Sequence, residues 1–402
     1  MAPVAATLAA SLAVGVGLVL ARSERARRRT PAREHDHELG LHPGEPLPTG
    51  LRRMALGQVD LALEQLGAAG GNGRAPDETA VHETRKAIKR LRALLRVLRH
   101  ELGERGFQRE NAALRDVARE LSATRDATVM LATLDALIAR NPRKLGRRRG
   151  VRALRERVAG ESARMQQLTL ADALARANVL GELHAIRWRV AAWPLPAQDG
   201  LGLIDADLEA LYRQGRARGR RARRAHGERA LAMHMWRKRV KDLRYVAEML
   251  ERRQPASAAN ARATGKRTGA KRTGSKPAGS KSADSKRAGA HAARLRKLAA
   301  RADALGELLG EEHDLAVLEA HLRSCAKRKR RHKATRAEER DALWRTGRAT
   351  RKALLRAIAK RRRQLHRRAL RKGERLYREQ PRRFMRGVRA GYQRGTSQPN
   401  VS

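Results

Sequence analysis

The sequence predicts an all-α protein, and three observations carry that expectation. Apolar residues make up 41% of the 402-residue chain, yet the aromatics are only four Trp, four Tyr and two Phe. Cores of Leu, Ala and Val at three- and four-residue spacing suit helix-on-helix packing better than sheets. A cationic amphipathic segment occurs twice, as VHETRKAIKRLRALLRVL from Val81 and MHMWRKRVKDLRYVAEML from Met233, at an offset of 152 residues. A second pair, ELSATRDATVM from Glu120 and LLGEEHDLAVL from Leu308, repeats at an offset of 188. The two offsets differ by 36 (188 − 152), the length of Pro255–Ala290. Excising that stretch restores one register, so the chain reads as an internal duplication.

Taken in order, Ala2 to Ala21 carry no charge and match a membrane span of roughly 30 Å. Arg22, Arg25, Arg27, Arg28 and Arg29 follow, a bias that would keep the bulk of the protein on the cytoplasmic side. A membrane anchor over residues 2–21 and an Ala-rich extension both remain open readings. Residues 22–43 form a basic and polar linker. From Gly50, LRRMALGQVDLALEQL has helical spacing and stops at GAAGGNG; the first cationic helix follows, with Asp77 as its cap. Helical patterning runs from Arg109 to Arg140 and on through Trp193, where Pro194 and Pro196 break it. The second half opens near Leu203, which gives halves of about 44–200 and 201–393. Pro255–Ala290 holds no large apolar residue, nine Lys/Arg and one Asp. It is expected to be disordered and to offer nucleic acid a non-specific contact. Beyond KRKRRHK from Lys327 comes a long basic helix, RKALLRAIAKRRRQLHRRALRK. Pro381 then starts or ends a helix in LYREQPRRFMRGV, and residues 394–402 form a tail.

The charge narrows the function classes. Lys and Arg number 91 against 41 Asp and Glu, a net +50, which works against compactness unless a polyanion offsets it. Nucleic acid, an anionic membrane surface and inorganic polyphosphate are the partners such a field attracts. The repeat pairs His82 with His234, Arg85 with Arg237, Lys86 with Lys238, Lys89 with Lys241 and Arg92 with Arg244. With Arg96, the first-copy residues project into one sector of a helix, while Ile88, Leu91, Leu94, Leu95 and Leu98 point the other way. Val240, Leu243, Val246 and Leu250 do the same in the second copy. Like charges at these spacings cost a few tenths of a kcal/mol per pair, so their repetition implies an anion between them. Arginine offers phosphate a fork of donors, lysine a point charge and histidine a donor strengthened beside an anion. Rows about 5.4 Å apart along each helix would follow a linear phosphate chain without reading a base.

Catalytic constellations are scarce. Cys325 stands alone, so neither a disulfide nor a cysteine zinc cluster is expected. The sequence holds no GxxxxGK[ST], GxSxG, CxxC or HExxH motif. His35 and His37 fall in the linker, and His313–Asp314 aligns with Arg125–Asp126, where the first half has no histidine. No catalytic residue, metal or cofactor is expected. Asp126 and Asp314 are expected to hold helix ends or neighbouring basic side chains. Few aromatics weigh against a surface that stacks single-stranded bases.

These motifs resemble the CHAD domain, the conserved histidine α-helical domain. The matching elements are His82-Glu-Thr-Arg85-Lys86, His234-Met-Trp-Arg237-Lys238, Leu243-Arg244-Tyr245, Ser122-Ala-Thr-Arg125-Asp126, the opening GEPLPTGLRRM from Gly44 and the close LYREQPRRF. The resemblance spans about Gly40 to Gln393. It implies two four-helix bundles related by a pseudo-twofold axis around a central basic cavity, within a CHAD domain over residues 44–393. It also implies non-enzymatic binding of inorganic polyphosphate and association with polyphosphate granules; with the apolar segment 2–21 and the arginines after it, the expected place is the cytoplasm or the inner face of the membrane. Carried onto this chain, the binding residues are His82, Arg85, Lys86, Lys89, Arg92, Arg96, His234, Arg237, Lys238, Lys241 and Arg244. Two positions depart from the repeat: Glu248 stands opposite Arg96 in the alignment and Asp242 opposite Arg90, so the second helix is less cationic. A basic protein that binds polyanions in general, nucleic acid included, is the second reading.

Overall fold

The computed structural model describes residues 39–42, 44–67, 78–121, 123–168, 173–225, 227–251, 280–327 and 346–396. They belong to a unit that starts at Leu39. The apolar stretch 2–21, residues 22–38 of the linker, Asp77, most of the insert (255–279) and residues 397–402 lie outside the described residues. Among the described residues no helix is long and apolar enough to cross a membrane.

All regular elements among those residues are helical. The first half holds α1 (Leu47–Gly67), α2 (Glu78–Val97), α3 (Arg99–Glu120), α4 (Ala123–Ala139), a π turn at Pro142–Gly146, α5 (Arg149–Leu168) and α6 (Ala173–Ala191). The second holds α7 (Gly202–Arg224), α8 (Arg229–Met249), α9 (Ser280–Lys327), α10 (Arg348–Leu376) and α11 (Pro381–Thr396). Local chemistry accounts for several boundaries. The Leu47 N–H at the start of α1 donates to Asp199 Oδ1 at 2.7 Å, and the Tyr392 hydroxyl of α11 donates to the same oxygen. Helix α6 stops before the two prolines, and Pro381 opens α11 at a position where its missing N–H is not needed. Gly103 bends the start of α3 with φ 66°, a value other L-residues rarely adopt.

The duplication is visible in the packing. Helix α4 ends at Ala139 and α9 at Lys327, the same offset of 188 seen in the sequence. At that offset Phe107 matches Leu295, Leu114 matches Ala302, Val117 matches Leu305, Leu121 matches Leu309, Met130 matches Leu318 and Leu134 matches Leu322. All twelve are buried. One continuous helix therefore does in the second half what α3 and α4 do in the first. Neighbours match too: α1 packs on α2 and α6, α2 on α3, α3 on α6 and α4 on α5. Correspondingly, α7 packs on α8 and α11, α8 on α9, and α9 on both α11 and α10.

The hydrophobic cores do not divide at residue 200. The larger joins α1, α2, α3 and α6 to α7, α8, α11 and the first part of α9. The smaller sets α4 and α5 (Leu134, Val151, Leu154) against the last part of α9 (Leu318, Leu322) and the first part of α10 (Leu354, Ile358). The halves meet through α2 against α8 and through α4 against α9.

Two sequence expectations change here. The stretch expected to be disordered runs to Ala290, but α9 begins at Ser280, so residues 280–290 are helical. Ala and Lys are good helix formers, and once Ala292 and Leu295 dock in the core the helix extends backwards one residue at a time without a new nucleus. Asp314 lies inside α9 and not at a helix end, because the helix runs straight through the motif. The Asp126 side chain lies outside the described residues.

Candidate cationic site

Helix α2 is set by its apolar side: Ile88, Leu91, Leu94, Leu95 and Leu98 are each at most 1% exposed. In α8, Val240, Leu243, Val246 and Leu250 are buried likewise. Trp236 fixes α8 further. Its ring is fully buried beside Gly219 and Gly373, and a Cβ at Gly373 would run into it. Both predicted apolar faces are therefore core, and the cations lie along the flanks.

Where α2 crosses α8, the charges interlock. Arg96 Nε lies 3.5 Å from Asp242 Oδ2, and Arg239 Nη2 lies 3.0 Å from the same oxygen. Arg90, half-buried and donating to Gln58 Oε1 at 3.1 Å, has Glu248 as its foremost acidic neighbour. Adding 152 to Arg90 gives Asp242, and adding it to Arg96 gives Glu248. Each arginine of α2 thus has, as its acidic neighbour on α8, the residue that replaces the other arginine in the repeat. Going from Arg90 to Arg96 along α2, the facing acid on α8 falls from Glu248 to Asp242, so the helices cross in opposite senses. His82 and His234 consequently lie towards opposite ends of the crossing.

Four cations, Arg92, Arg96, Lys238 and Arg239, surround the single carboxylate of Asp242. Burial, with Arg92, Arg239 and Arg96 nearby, pushes the Lys238 ammonium below its ordinary pKa. Burial likewise lowers Arg92, Arg96 and Arg239, which remain charged. For Asp242, burial pushes the carboxyl up and the surrounding cations pull it back.

Next to this cluster, with Lys238 between them, α8 lies against α9. Arg237 stands over Gly310, with Nη2 3.6 Å from where a Cβ would be, and Lys241 stands over Gly306. The His234 and His313 rings pack with centroids 4.3 Å apart at 33°. Burial foremost, then the positive charge of Arg237 and Lys238, depresses both imidazoles to about 4, and His313 adds to the effect on His234. Both are neutral at pH 7.

The remaining predicted residues are placed as follows. His82 is exposed in the first turns of α2. Arg85 Nη1 donates to the Ala118 carbonyl of α3 at 2.9 Å, and Lys86 pairs with Glu83 at 3.0 Å. Lys89 and Lys241 are half-buried. Arg92 Nε donates to Asn111 Oδ1 at 3.1 Å. Arg244 is held by Glu248 at 2.7 Å and by Asp303. The structure thus brings Arg92, Arg96 and Lys238 together and leaves the two histidines apart. Sequence reasoning missed Arg239, whose partner in the repeat is Ala87, so the duplication gave no signal. It also missed His313, weighed only as a metal ligand. The signal for the crossing was present, in the two acids that replace arginines.

Three cavities, of about 1000, 320 and 230 Å3, are lined by α7, α9, α10 and α11 and the connection between α10 and α11. None of these three is lined by α2 or α8, so the expected central cavity between the repeated helices is not among them. Among the described residues no group of three or more His, Cys, Asp or Glu could hold a metal ion.

Comparison with known proteins places this geometry. The profile of the CHAD domain matches residues 57–268. The fold is similar to the crystal structure of the CHAD domain from the plant Ricinus communis. That likeness has a TM-score of 0.51 and 18% identity, over 85% of this chain and 97% of that one. PptA from Streptomyces chartreusis aligns over 83% of this chain and 100% of its own, at 16% identity and a TM-score of 0.48. No functionally curated protein matches the sequence.

Proposed function

This chain belongs to the CHAD domain family, and from that premise we propose that it binds inorganic polyphosphate without chemical turnover, through the cationic flanks of α2 and α8. The observation that carries the reading is the charge excess at the crossing: four cations around one carboxylate, with Lys238 at its solvent edge, destabilised in its charged form by partial burial and then by its neighbours. A polyanion laid along this flank relieves that repulsion. The His234–His313 pair extends it, since an adjacent phosphate would restore protons that burial and nearby cations now remove. The set offers donors and positive charge but no base poised on a nucleophile, which suits retention over catalysis. In a cell the same site would hold the protein on polyphosphate granules. A pseudo-twofold relation between α1–α6 and α7–α11 accompanies the proposal. It is supported by the matched helix neighbours and by the exchanged pairs Arg96 with Asp242 and Arg90 with Glu248.

The test is a double variant, Lys86→Gln with Lys238→Gln, equivalent positions in the repeat that keep the helices intact. A charge-assisted hydrogen bond is worth about 1.5–3 kcal/mol. Losing two should therefore weaken polyphosphate binding by roughly two to four decades, at about 1.4 kcal/mol per decade. Calorimetry at fixed salt reads the change, with duplex DNA at matched phosphate concentration as the competing ligand. Wild-type affinity in a correctly folded variant would remove these helices as the site.

A further inference from the structure

A cavity of about 1000 Å3 opens where α9 passes the junction of α10 and α11, lined by Arg294, Arg378, Glu379, Gln380, Arg383, Arg386 and Gly387. The junction is firmly built. The Tyr377 N–H donates to the Gly373 carbonyl and the Phe384 N–H to the Gln380 carbonyl, both at 2.9 Å. The Tyr212 hydroxyl reaches the Glu379 carbonyl at 3.4 Å, and Arg216 donates to the Gln380 side chain. Arg294 bonds Glu379 Oε2 at 2.9 Å and lies so close to α11 that a Cβ at Gly387 would collide with its guanidinium. Glycine at 387 is therefore what lets Arg294 reach the cavity.

The only carboxylate in the lining is already engaged by Arg294. Arg378, Arg383 and Arg386 are exposed and make no ion pair among the described residues. Four guanidinium groups against one carboxylate leave the lining three charges positive. Gln380 and Arg383 bracket the start of α11, so the positive end of that helix dipole adds to the field. Guanidinium forks match phosphoryl oxygens. The lining has no aromatic or aliphatic side chain that could hold a base or an acyl chain.

We infer that this cavity is a second, separate site for oligophosphate groups. The ligand class rests on the polyphosphate reading above; the site itself rests on the arginines. Residues 294 and 310 are sixteen apart on α9, about 24 Å along the axis and roughly 160° around it. The cavity therefore opens on the other side of α9 from Arg237 and is not an extension of the α2–α8 flank.

Tripolyphosphate titrated into the full-length chain is expected to fill two sites. The variant R378Q/R383Q/R386Q should keep one, and K86Q/K238Q should keep the other. The charge-matched control K352Q/R356Q/K360Q, on the exposed side of α10, should keep both. Thermal unfolding of each variant confirms that the fold is retained. ATP should lose the same site in the arginine variant, since only phosphoryl groups are read. Unchanged tripolyphosphate stoichiometry in the arginine variant overturns the inference, and so does a loss confined to ATP. If only the arginine variant loses a site, the cavity stands and the reading of α2 and α8 fails. If only the lysine variant does, the cavity fails and that reading stands.

Discussion

Helix α2 carries arginine at 90 and 96, whereas α8 carries Asp242 and Glu248 at the corresponding positions. Elsewhere between His82 and Arg92 the two helices keep the same cations in the same order, save that Arg239 stands against Ala87. The exceptions fall where the helices touch. Two exact copies crossing about a twofold axis would set Arg90 against a second Arg96, and burial would make that repulsion severe. Placing both acids on one helix solves both contacts at once and leaves the outer cations unchanged. The difference teaches that duplicated surfaces can stay alike while duplicated interfaces must diverge. Position 84 makes the same point for packing. Thr84 in α2 is buried and bonds its own helix at the Ala80 carbonyl, 2.8 Å away, while its counterpart Trp236 fills the space between α7 and α10.

The harshest way to break the comparison is to restore the symmetry. Asp242→Arg returns α8 to the pattern of α2 and places a fifth cation among Arg92, Arg96, Lys238 and Arg239. It should cost at least about 3–5 kcal/mol, the range for breaking a buried pair. The exchanged double variant Arg96→Asp with Asp242→Arg should recover part of the loss. Urea denaturation measures both; a double variant no better than the single one would mean that the Arg96–Asp242 contact is not what sets the polarity.

Packing gives the next effect. Trp236→Ala should cost about 3–5 kcal/mol, as for other buried tryptophans. Thr84→Ala should cost about 1 kcal/mol or less, because it loses one modest hydrogen bond and gains helix propensity. Equal losses in the two variants, read from denaturant midpoints, would show that α2 and α8 are anchored alike.

The smallest effect concerns the histidines. His234 and His313 titrate near 4 in the folded chain, against an ordinary value of 6.5. The unfolded state then binds more protons between those values, so stability rises with pH from about 4 to about 6.5 and is lost on acidification through that window. The double variant H234Q/H313Q should flatten the slope of the urea midpoint against pH, whereas H82Q, at the exposed position in α2, should not. With polyphosphate bound, calorimetry at pH 6 in two buffers of different ionisation enthalpy should register proton uptake. No uptake would separate the histidine pair from the binding flank.

The amino-acid sequence by itself determined the helical class, the duplication with its two offsets, the apolar faces of α2 and α8 and the equivalence of their cations. These follow from the helical period and from comparing the chain with itself, and both are local properties. Only the tertiary structure decided that α2 lies antiparallel on α8, that Arg244 is held by Glu248 and Asp303, that His313 faces His234, and that α9 reaches back to Ser280. It alone gathered Arg294, Arg378, Arg383 and Arg386 around one cavity. The physical reason is that the partner of a charged side chain depends on which helices cross and in what sense. That crossing is settled by burying apolar surface drawn from both halves, whereas the helical period constrains only residues within a few positions of one another.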